Sequence, residues 1–157
     1  MSKEHFYKTQ LVWTGNRGEG TKTYSSYNRN YTVSVPSKPD IQGSSDPAFR
    51  GDKTRYNPEE LLVASISSCH MLWFLHLCSA AGVVVTAYED HATGTMRENA
   101  DGSGYFTGVT LHPLVLINGE INKDQLSEIH EEANRKCFIA NSCNFPILHE
   151  PVYDTGE

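Results

Sequence analysis

The hydrophobic pattern of the chain is strongest between Pro58 and Ala81, where apolar residues surround nearly the whole helical circumference. Asn57 before this segment and Glu60 within its first turn have the spacing of a capping box, and Gly82 is a typical residue after a helix end. These features predict a helix of about 36 Å, roughly as long as a domain of this size is wide. Because a helix that is apolar all round is buried on every side, we expect a second subunit to cover part of it.

Shorter hydrophobic segments precede this helix. Residues 5–14, which contain Leu-Val-Trp at positions 11–13, and residues 31–35, which alternate between apolar and polar side chains, predict two β-strands. Residues 21–27 are rich in Thr, Tyr and Ser and also favour β-structure. Residues 36–56 are rich in Pro, Gly, Ser and Asp and predict a long connection. A connection of this length within one domain is usually functional or mobile.

The pattern after the helix predicts two strands, a second helix and a last strand. The strands cover about 83–97 and 103–118, joined by a turn, and Pro113 indicates an edge or a bulge in the second of them. The second helix begins at Asn122, and the last strand covers about 143–153. Strands, helix, hairpin, helix and strand in this order define an α+β fold rather than alternating βα units.

Length and composition limit the function classes. The 157 residues predict one domain spanning 1–157, and a net charge of −6 argues against nucleic-acid binding, which requires a basic surface. The N-terminus has no signal-peptide pattern and the chain has no run of 18 apolar residues, so we expect a cytoplasmic protein without a membrane span. The spacings of cysteine and histidine match no metal site, and no dinucleotide-binding loop occurs, so we expect neither a metal nor a cofactor.

Four cysteines are the candidates for chemistry. Cys69 lies in the middle of the apolar helix, where a thiol is structural unless a cation activates it. Cys78 lies nine residues further, on the opposite helix face and about 13.5 Å away, which excludes a disulfide between these two. A partner for Cys69 therefore comes from Cys137 or Cys143. Cys137 continues the apolar series of the second helix and is favoured, and Cys143 remains the alternative.

Three segments carry a family resemblance. Residues 57–62 read NPEELL and are followed by Cys69. This motif and its spacing to Cys69 resemble the signature of the OsmC/Ohr family of thiol peroxidases. Residues 133–142 resemble the family's second-cysteine segment, and residues 49–52 resemble the segment that carries its arginine. The resemblance covers residues 8–153 and is closer to the OsmC-like branch. It implies an OsmC-like fold, with an antiparallel sheet packed on a long central helix, and an intertwined homodimer.

The resemblance also implies a set of catalytic residues. Cys69 would be oxidised by the peroxide to a sulfenic acid, and Cys137 would then form a disulfide with it. Arg50 would hold the thiolate and Glu59 would orient the guanidinium group, with Arg17 as the alternative arginine. Ten residues of helix place Glu59 and Cys69 about 15 Å apart, too far for one arginine to contact both. Either the helix starts later than predicted, or Glu59 reaches the site through a bend or from a second subunit.

The expected substrate class rests mainly on the family resemblance, and the side chains near Cys69 agree with it. Leu62, Ile66, Trp73 and Phe138 would form an apolar lining, which suits an organic or lipid-like hydroperoxide. Phe138 stands where the family often has proline. The resemblance implies that an external dithiol, such as a lipoylated protein, reduces the disulfide. The alternative function is a non-enzymatic stress or small-ligand binding protein with the same fold and structural cysteines.

Overall fold

The computed structural model describes residues 1–156. The chain divides into two compact units, Met1–Leu61 and Leu62–Glu157, so that the first turn of the long helix belongs to the first unit. The expectation of one domain over residues 1–157 stays a prediction.

The first unit contains a three-stranded antiparallel sheet. Its strands, in the order β1-β2-β3, are β1 (Gln10–Trp13), β2 (Tyr31–Ser34) and β3 (Ile41–Gly43). The first two strands confirm the predicted positions but are shorter. The segment 21–27 forms no strand and contributes only an isolated bridge between Tyr27 and Asn16, so that part of the prediction was wrong. β3 and a short 3-10 helix, Pro47–Phe49, lie within the predicted connection.

Gly43 is required by the packing of this sheet. It lies opposite Tyr31 in the register of β2 and β3, and a Cβ atom at position 43 would collide with the Tyr31 ring. The residue at this position is buried. The absence of a side chain therefore lets the Tyr31 ring lie across the backbone of the neighbouring strand.

The long helix, α1 (Pro58–Ala80), confirms the predicted boundaries. At its start the Glu60 backbone N–H donates to Asn57 Oδ1 at 2.8 Å, and the Asn57 N–H donates to Glu60 Oε2 at 3.0 Å. This is the reciprocal pair of the predicted capping box. At its end Gly82 has a φ of 73°, which favours glycine because it has no Cβ atom.

Only one face of α1 is buried in the single chain, and the burial of its other faces by a second subunit stays a prediction. The buried residues recur every fourth position and are Ile66, His70, Phe74 and Cys78. Leu72, which points elsewhere, is 62% exposed. The chain's own strands and second helix cover one stripe of the helix and leave the other apolar side chains with partial contact.

The second unit contains six strands and one further helix. They are β4 (Val84–Asp90), β5 (Thr93–Glu98), β6 (Gly104–Leu111), β7 (Pro113–Asn118), α2 (Lys123–Lys136), β8 (Ile147–His149) and β9 (Val152–Asp154). The strands form two sheets, with orders β4-β7-β9 and β5-β6-β8. In each sheet the first pair is antiparallel and the second pair is parallel. The fold is therefore α+β, as predicted, with one purely antiparallel sheet and two mixed sheets.

The three long predicted strands are each divided between these two sheets. The segment 83–97 forms β4 and β5, the segment 103–118 forms β6 and β7, and the segment 143–153 forms β8 and β9. Pro113 is the first residue of β7, which is the central strand of its sheet, so the predicted edge position was wrong. The chain passes from one sheet to the other at Pro113, where the first strand position tolerates the missing N–H group.

Two hydrophobic cores hold α1 against these sheets. The first contains Phe74 and Cys78 from α1, residues of β7, and three residues of α2, and its members are Phe74, Cys78, Val115, Ile117, Leu126, Ile129 and Ala133. The second joins Ile66 of α1 to Val109 and Leu111 of β6. Burying a side chain of this size contributes about 1.5–3 kcal/mol, so both cores fix the position of the helix.

By length and composition alone, α1 is apolar enough to cross a membrane. A core helix of a soluble protein meets the same criteria. Its buried face packs on protein, and the Ser67 hydroxyl donates a hydrogen bond to Asp90 of β4. These contacts are those of a core helix.

Candidate active site

The second unit brings two of the predicted catalytic residues together. Cys69 is half-buried in the middle of α1, and Cys137 is fully buried at the C-terminal end of α2. Burial is the main cause that raises the pKa of the Cys137 thiol above its usual value, and the side-chain interaction with Cys69 is the second cause. The two thiols are thus close enough to interact, and both cysteines are free in the structure.

The end of α2 fixes the orientation of Cys137. The helix begins at Asn122, whose side chain accepts a hydrogen bond from the Gln125 backbone, as the sequence predicted. Cys137 has an extended conformation, with a φ of −65° and a ψ of 113°, and therefore stops the helix. The Ala140 backbone N–H then donates to Cys137 Sγ at 3.3 Å, a contact that lowers the pKa of the thiol. This bond partly offsets the effect of burial.

The other two cysteines have different surroundings. Cys143 follows the short 3-10 helix Ala140–Ser142 and is not part of a strand, contrary to the sequence-based expectation. Its thiol donates to the Ile139 carbonyl at 3.3 Å, and burial raises its pKa. Cys78 is 1% exposed, and burial raises its pKa to about 11, which describes an inert core thiol.

The four residues predicted to line the substrate site differ in exposure. Trp73 and Phe138 contact each other edge to face, with ring centroids 5.8 Å apart, and Phe138 is 68% exposed. Leu62 is partly buried beside the second core, and Ile66 is fully buried within it. Ile66 therefore has no surface of its own to present to a ligand, whereas the Trp73–Phe138 pair has.

The predicted arginine and glutamate both belong to the first unit. Arg50 is exposed, has a left-handed backbone conformation with a φ of 64°, and lies 5.8 Å from the centre of the Tyr24 ring. Glu59 Oε2 is buried without a hydrogen-bond partner. Burial is the main cause of the raised pKa of Tyr31, and the negative charge of Glu59 is the second cause. Among residues 1–156 Arg50 forms no salt bridge, so a single chain does not form the predicted Arg50–Glu59 pair.

The alternative arginine, Arg17, is exposed in a loop. Asn16 Oδ1 closes this loop by accepting hydrogen bonds from the Gly18 and Gly20 backbones, at 2.9 and 3.0 Å. Arg29 was not predicted, and it lies over the Tyr24 and Tyr27 rings at 4.3 and 4.1 Å from their centres. Its guanidinium also donates to backbone carbonyls, which indicates a structural role for Arg29.

A group of three histidines, of which His70 and His130 are buried, was missed by the sequence analysis. His70 on α1 and His130 on α2 are hydrogen-bonded, and the His149 ring at the end of β8 lies 5.6 and 5.4 Å from their rings. A helical projection could have placed each of the first two on a buried face, because His70 is four residues from Ile66, and His130 is four residues from Leu126 and three from Ala133. Within residues 1–156 no group of His, Cys, Asp or Glu is arranged to hold a metal ion.

Comparison with known proteins identifies the family. The sequence model of the OsmC-like protein family matches residues 51–150. The chain therefore belongs to the OsmC-like family, as its cysteine segments indicated. No curated protein sequence matches the chain significantly.

Solved structures agree with this assignment. An OsmC-like protein of unknown function from Vibrio cholerae is 30% identical, with a TM-score of 0.86 over 95% of this chain and 100% of that chain. An organic hydroperoxide resistance protein from Elizabethkingia anophelis is 16% identical, with a TM-score of 0.68 over 98% of this chain and 100% of that chain. The organic hydroperoxide resistance protein OhrB of Bacillus subtilis is 16% identical, with a TM-score of 0.66 over 93% and 98%. At these last two identities the likeness is one of fold.

Proposed function

We propose that the protein is a thiol-dependent peroxidase that reduces organic hydroperoxides through Cys69 and Cys137. The observation that carries the proposal is the interaction between these two thiols within the second unit. Membership of a family that includes organic hydroperoxide resistance proteins supports the same reaction class. The compartment we propose is the cytoplasm, where free cysteines stay reduced between turnovers.

The reaction balances in three steps. The Cys69 thiolate attacks the distal peroxide oxygen, the O–O bond breaks, and the alkoxide takes a proton to leave as an alcohol. The sulfenic acid on Cys69 is then attacked by Cys137, so that an S–S bond forms and the S–O bond breaks. The departing hydroxide takes the Cys137 proton and leaves as water. An external dithiol, such as a lipoylated protein, reduces the disulfide and is itself oxidised to a disulfide.

An arginine beside the Cys69 thiolate supports the first step. It would stabilise the thiolate before attack and the charge that develops on the alkoxide during attack. Arg50 is the proposed residue, with Glu59 orienting its planar guanidinium group, and Arg17 is the alternative. α1 is a single helix from Pro58 to Ala80, which removes a later helix start as the explanation for Glu59. Glu59 lies ten residues from Cys69, so we propose that it serves the Cys69 of a second copy.

A homodimer is part of this proposal. Most apolar residues of α1 are only partly covered in one chain, and Leu72 is 62% exposed. The strand β1 also exposes Leu11 and Trp13, at 64% and 41%. Apolar surface of this extent favours association with a second copy of the chain. Sedimentation should give twice the monomer mass, and a monomer at micromolar concentration would contradict both the dimer and a two-chain site.

The substrate class we propose is organic and lipid-like hydroperoxides. The exposed Phe138 ring against Trp73 offers an apolar contact for the organic group, and Leu62 adds partly buried apolar surface. Hydrogen peroxide has no apolar group that could use such a contact. Phe138→Ala should therefore raise the KM for cumene hydroperoxide and leave the rate with hydrogen peroxide nearly unchanged.

The deciding experiment is a peroxide-consumption assay. Reduced protein is incubated with cumene hydroperoxide and a dithiol, and turnover is compared with that of Cys69→Ser and of Cys78→Ser. We expect the first substitution to abolish turnover and the second to retain it, because Cys78 is buried in the core. If the unaltered protein is as inactive as Cys69→Ser with every reductant, the non-enzymatic binding function replaces the peroxidase.

A further inference from the structure

The proposed peroxidase chemistry does not use the histidine pair between α1 and α2. His70 and His130 are 1% and 0% exposed, and His70 Nε2 lies 2.9 Å from His130 Nδ1. Their ring planes differ by only 7° while the ring centroids are 5.2 Å apart. Phe74, in contrast, stacks on the face of His130 with centroids 4.0 Å apart. The two imidazoles therefore meet end to end through one N–H···N hydrogen bond, and Phe74 packs against one of them.

The surroundings keep this pair neutral. Burial lowers the pKa of His70 to about 4 and that of His130 to about 3. His149 of β8 opposes a positive charge on both rings, whereas Asp90 of β4 favours one on His70. Tyr153 of β9 also faces His130, with ring centroids 6.0 Å apart. At neutral pH one imidazole donates and the other accepts, which is the only pairing that two neutral rings allow.

The histidine pair and the cysteine pair connect the same two helices. His70 follows Cys69 on α1, and His130 lies about two turns before Cys137 on α2. A hydrogen bond weakens within a few tenths of an ångström, whereas a one-turn slip of a helix moves its side chains by about 5.4 Å. Apolar contacts between helices tolerate small sliding, because they have no preferred direction. The histidine bond is therefore the directional contact that can fix the register of α2 on α1.

We propose that the His70–His130 hydrogen bond is a positioning contact that holds Cys137 against Cys69 for disulfide formation. The role of this contact in peroxide turnover rests on the proposed function, whereas its effect on the stability of the Cys69–Cys137 disulfide does not. The equilibrium with glutathione measures that effect directly: one oxidised glutathione takes two electrons and two protons from the two thiols, and two reduced glutathiones and the protein disulfide result. No peroxide takes part in this measurement.

The two ring nitrogens in the bond allow a crossed test. His130 uses Nδ1, which the amide of asparagine can replace, whereas His70 uses Nε2, which the longer glutamine can replace. We expect His130→Asn and His70→Gln to keep the equilibrium constant of the Cys69–Cys137 disulfide within about twofold. His130→Gln and His70→Asn displace the amide and should lower this equilibrium constant about tenfold. The reduction potential of the disulfide then becomes less negative by about 30 mV.

The measurement is a glutathione redox titration at pH 7, with the Cys69–Cys137 peptide quantified by mass spectrometry. Leu126→Ala is the matched control, because Leu126 is buried on α2 in the core that contains Phe74 and has no side-chain group that could take part in the histidine hydrogen bond. It should reduce stability and leave the disulfide equilibrium unchanged. If asparagine and glutamine rank in the same order at both positions, the positioning role is refuted, because a general packing effect has no reason to reverse.

The outcomes separate this inference from the proposed function. A crossed ranking in a protein that consumes no peroxide would support the positioning contact and refute the peroxidase. Peroxide turnover without a crossed ranking would refute the positioning contact alone. If glutathione produces no Cys69–Cys137 disulfide in the unaltered protein, both are refuted, since there is no cysteine pair to position.

Discussion

The thiol of Cys137 at the end of α2 lies beside the thiol of Cys69 in the middle of α1, which raises the pKa of Cys137 in addition to the effect of burial. Cys143, only six residues further along the chain, instead donates its thiol hydrogen to the Ile139 carbonyl. The loop that a disulfide with Cys69 would close differs little in length between the two candidates, so chain entropy does not distinguish them. The orientation of the two thiols distinguishes the candidates, and it favours Cys137.

We therefore predict that peroxide-treated protein, digested without reduction, yields a Cys69–Cys137 peptide by mass spectrometry. Cys137→Ser should accumulate a sulfenic acid on Cys69 that a dimedone probe traps, because no second thiol is in contact with it. Cys143→Ser is the control and should cycle like the unaltered protein. A dominant Cys69–Cys143 peptide would show that the end of α2 rearranges during the reaction.

A second prediction concerns Asp90, which joins α1 to the segment between β6 and β7. Its carboxylate accepts hydrogen bonds from the Ser67 hydroxyl and, at 2.7 Å, from the His112 backbone N–H. Asp90→Ala leaves both donors without a partner and should lower the free energy of unfolding by about 2–3 kcal/mol. Ser67→Ala removes one donor and should cost about 1 kcal/mol. Urea unfolding measures both, and equal effects would contradict the role of Asp90 at His112.

The sequence was sufficient to predict α1, because local signals determine its ends. The capping box of Asn57 and Glu60 and the glycine at position 82 act within a few residues of each helix end. The burial of Cys137 was predicted for a similar reason, since helical periodicity places it on the buried face of α2.

The division of the long strands between two sheets could not be predicted in this way. A change of sheet at Pro113 depends on which distant strands pair on each side, and the alternation of side chains continues unchanged through it. The histidine pair was missed because it joins two helices far apart in sequence. A lone histidine on an apolar face gives no indication of a partner.

A third prediction follows from the lowered histidine pKa values. In the unfolded chain His70 titrates near 6.5, whereas burial lowers its pKa to about 4 in the folded protein. Between these values the unfolded chain binds protons that the folded chain excludes, so stability is full above pH 6.5 and declines as the pH falls. With each pKa unit equivalent to about 1.4 kcal/mol, the loss from His70 approaches about 3 kcal/mol at pH 4.

Urea unfolding at pH 7.5 and pH 4.5 tests this prediction. His130→Asn removes one titrating group of the pair, so its stability should change less between the two pH values than that of the unaltered protein. His5→Asn is the control, because His5 is exposed, and the pH dependence of this variant's stability should match that of the unaltered protein. An equal pH dependence in all three proteins would contradict the prediction.

The last prediction tests whether Glu59 acts on the Cys69 of a second copy. Glu59 Oε2 is buried without a partner in one chain, and Arg50 forms no salt bridge among residues 1–156. Glu59→Gln and Cys69→Ser should each abolish or strongly reduce peroxide turnover as homodimers. Co-expression of the two variants, with different affinity tags, yields a mixed dimer. One of its two sites then has an intact Cys69 from one chain and an intact Glu59 from the other.

If the site is built from two chains, purified mixed dimers should recover about half of the turnover per dimer, because the two-fold symmetry of a dimer gives two equivalent sites. If Glu59 serves the cysteine of its own chain, every site in the mixed dimer lacks one residue and no turnover returns. Co-expression of Cys69→Ser with Cys137→Ser distinguishes complementation from contamination. Both cysteines come from one chain in the proposed site, so that mixture should stay without catalytic cycling.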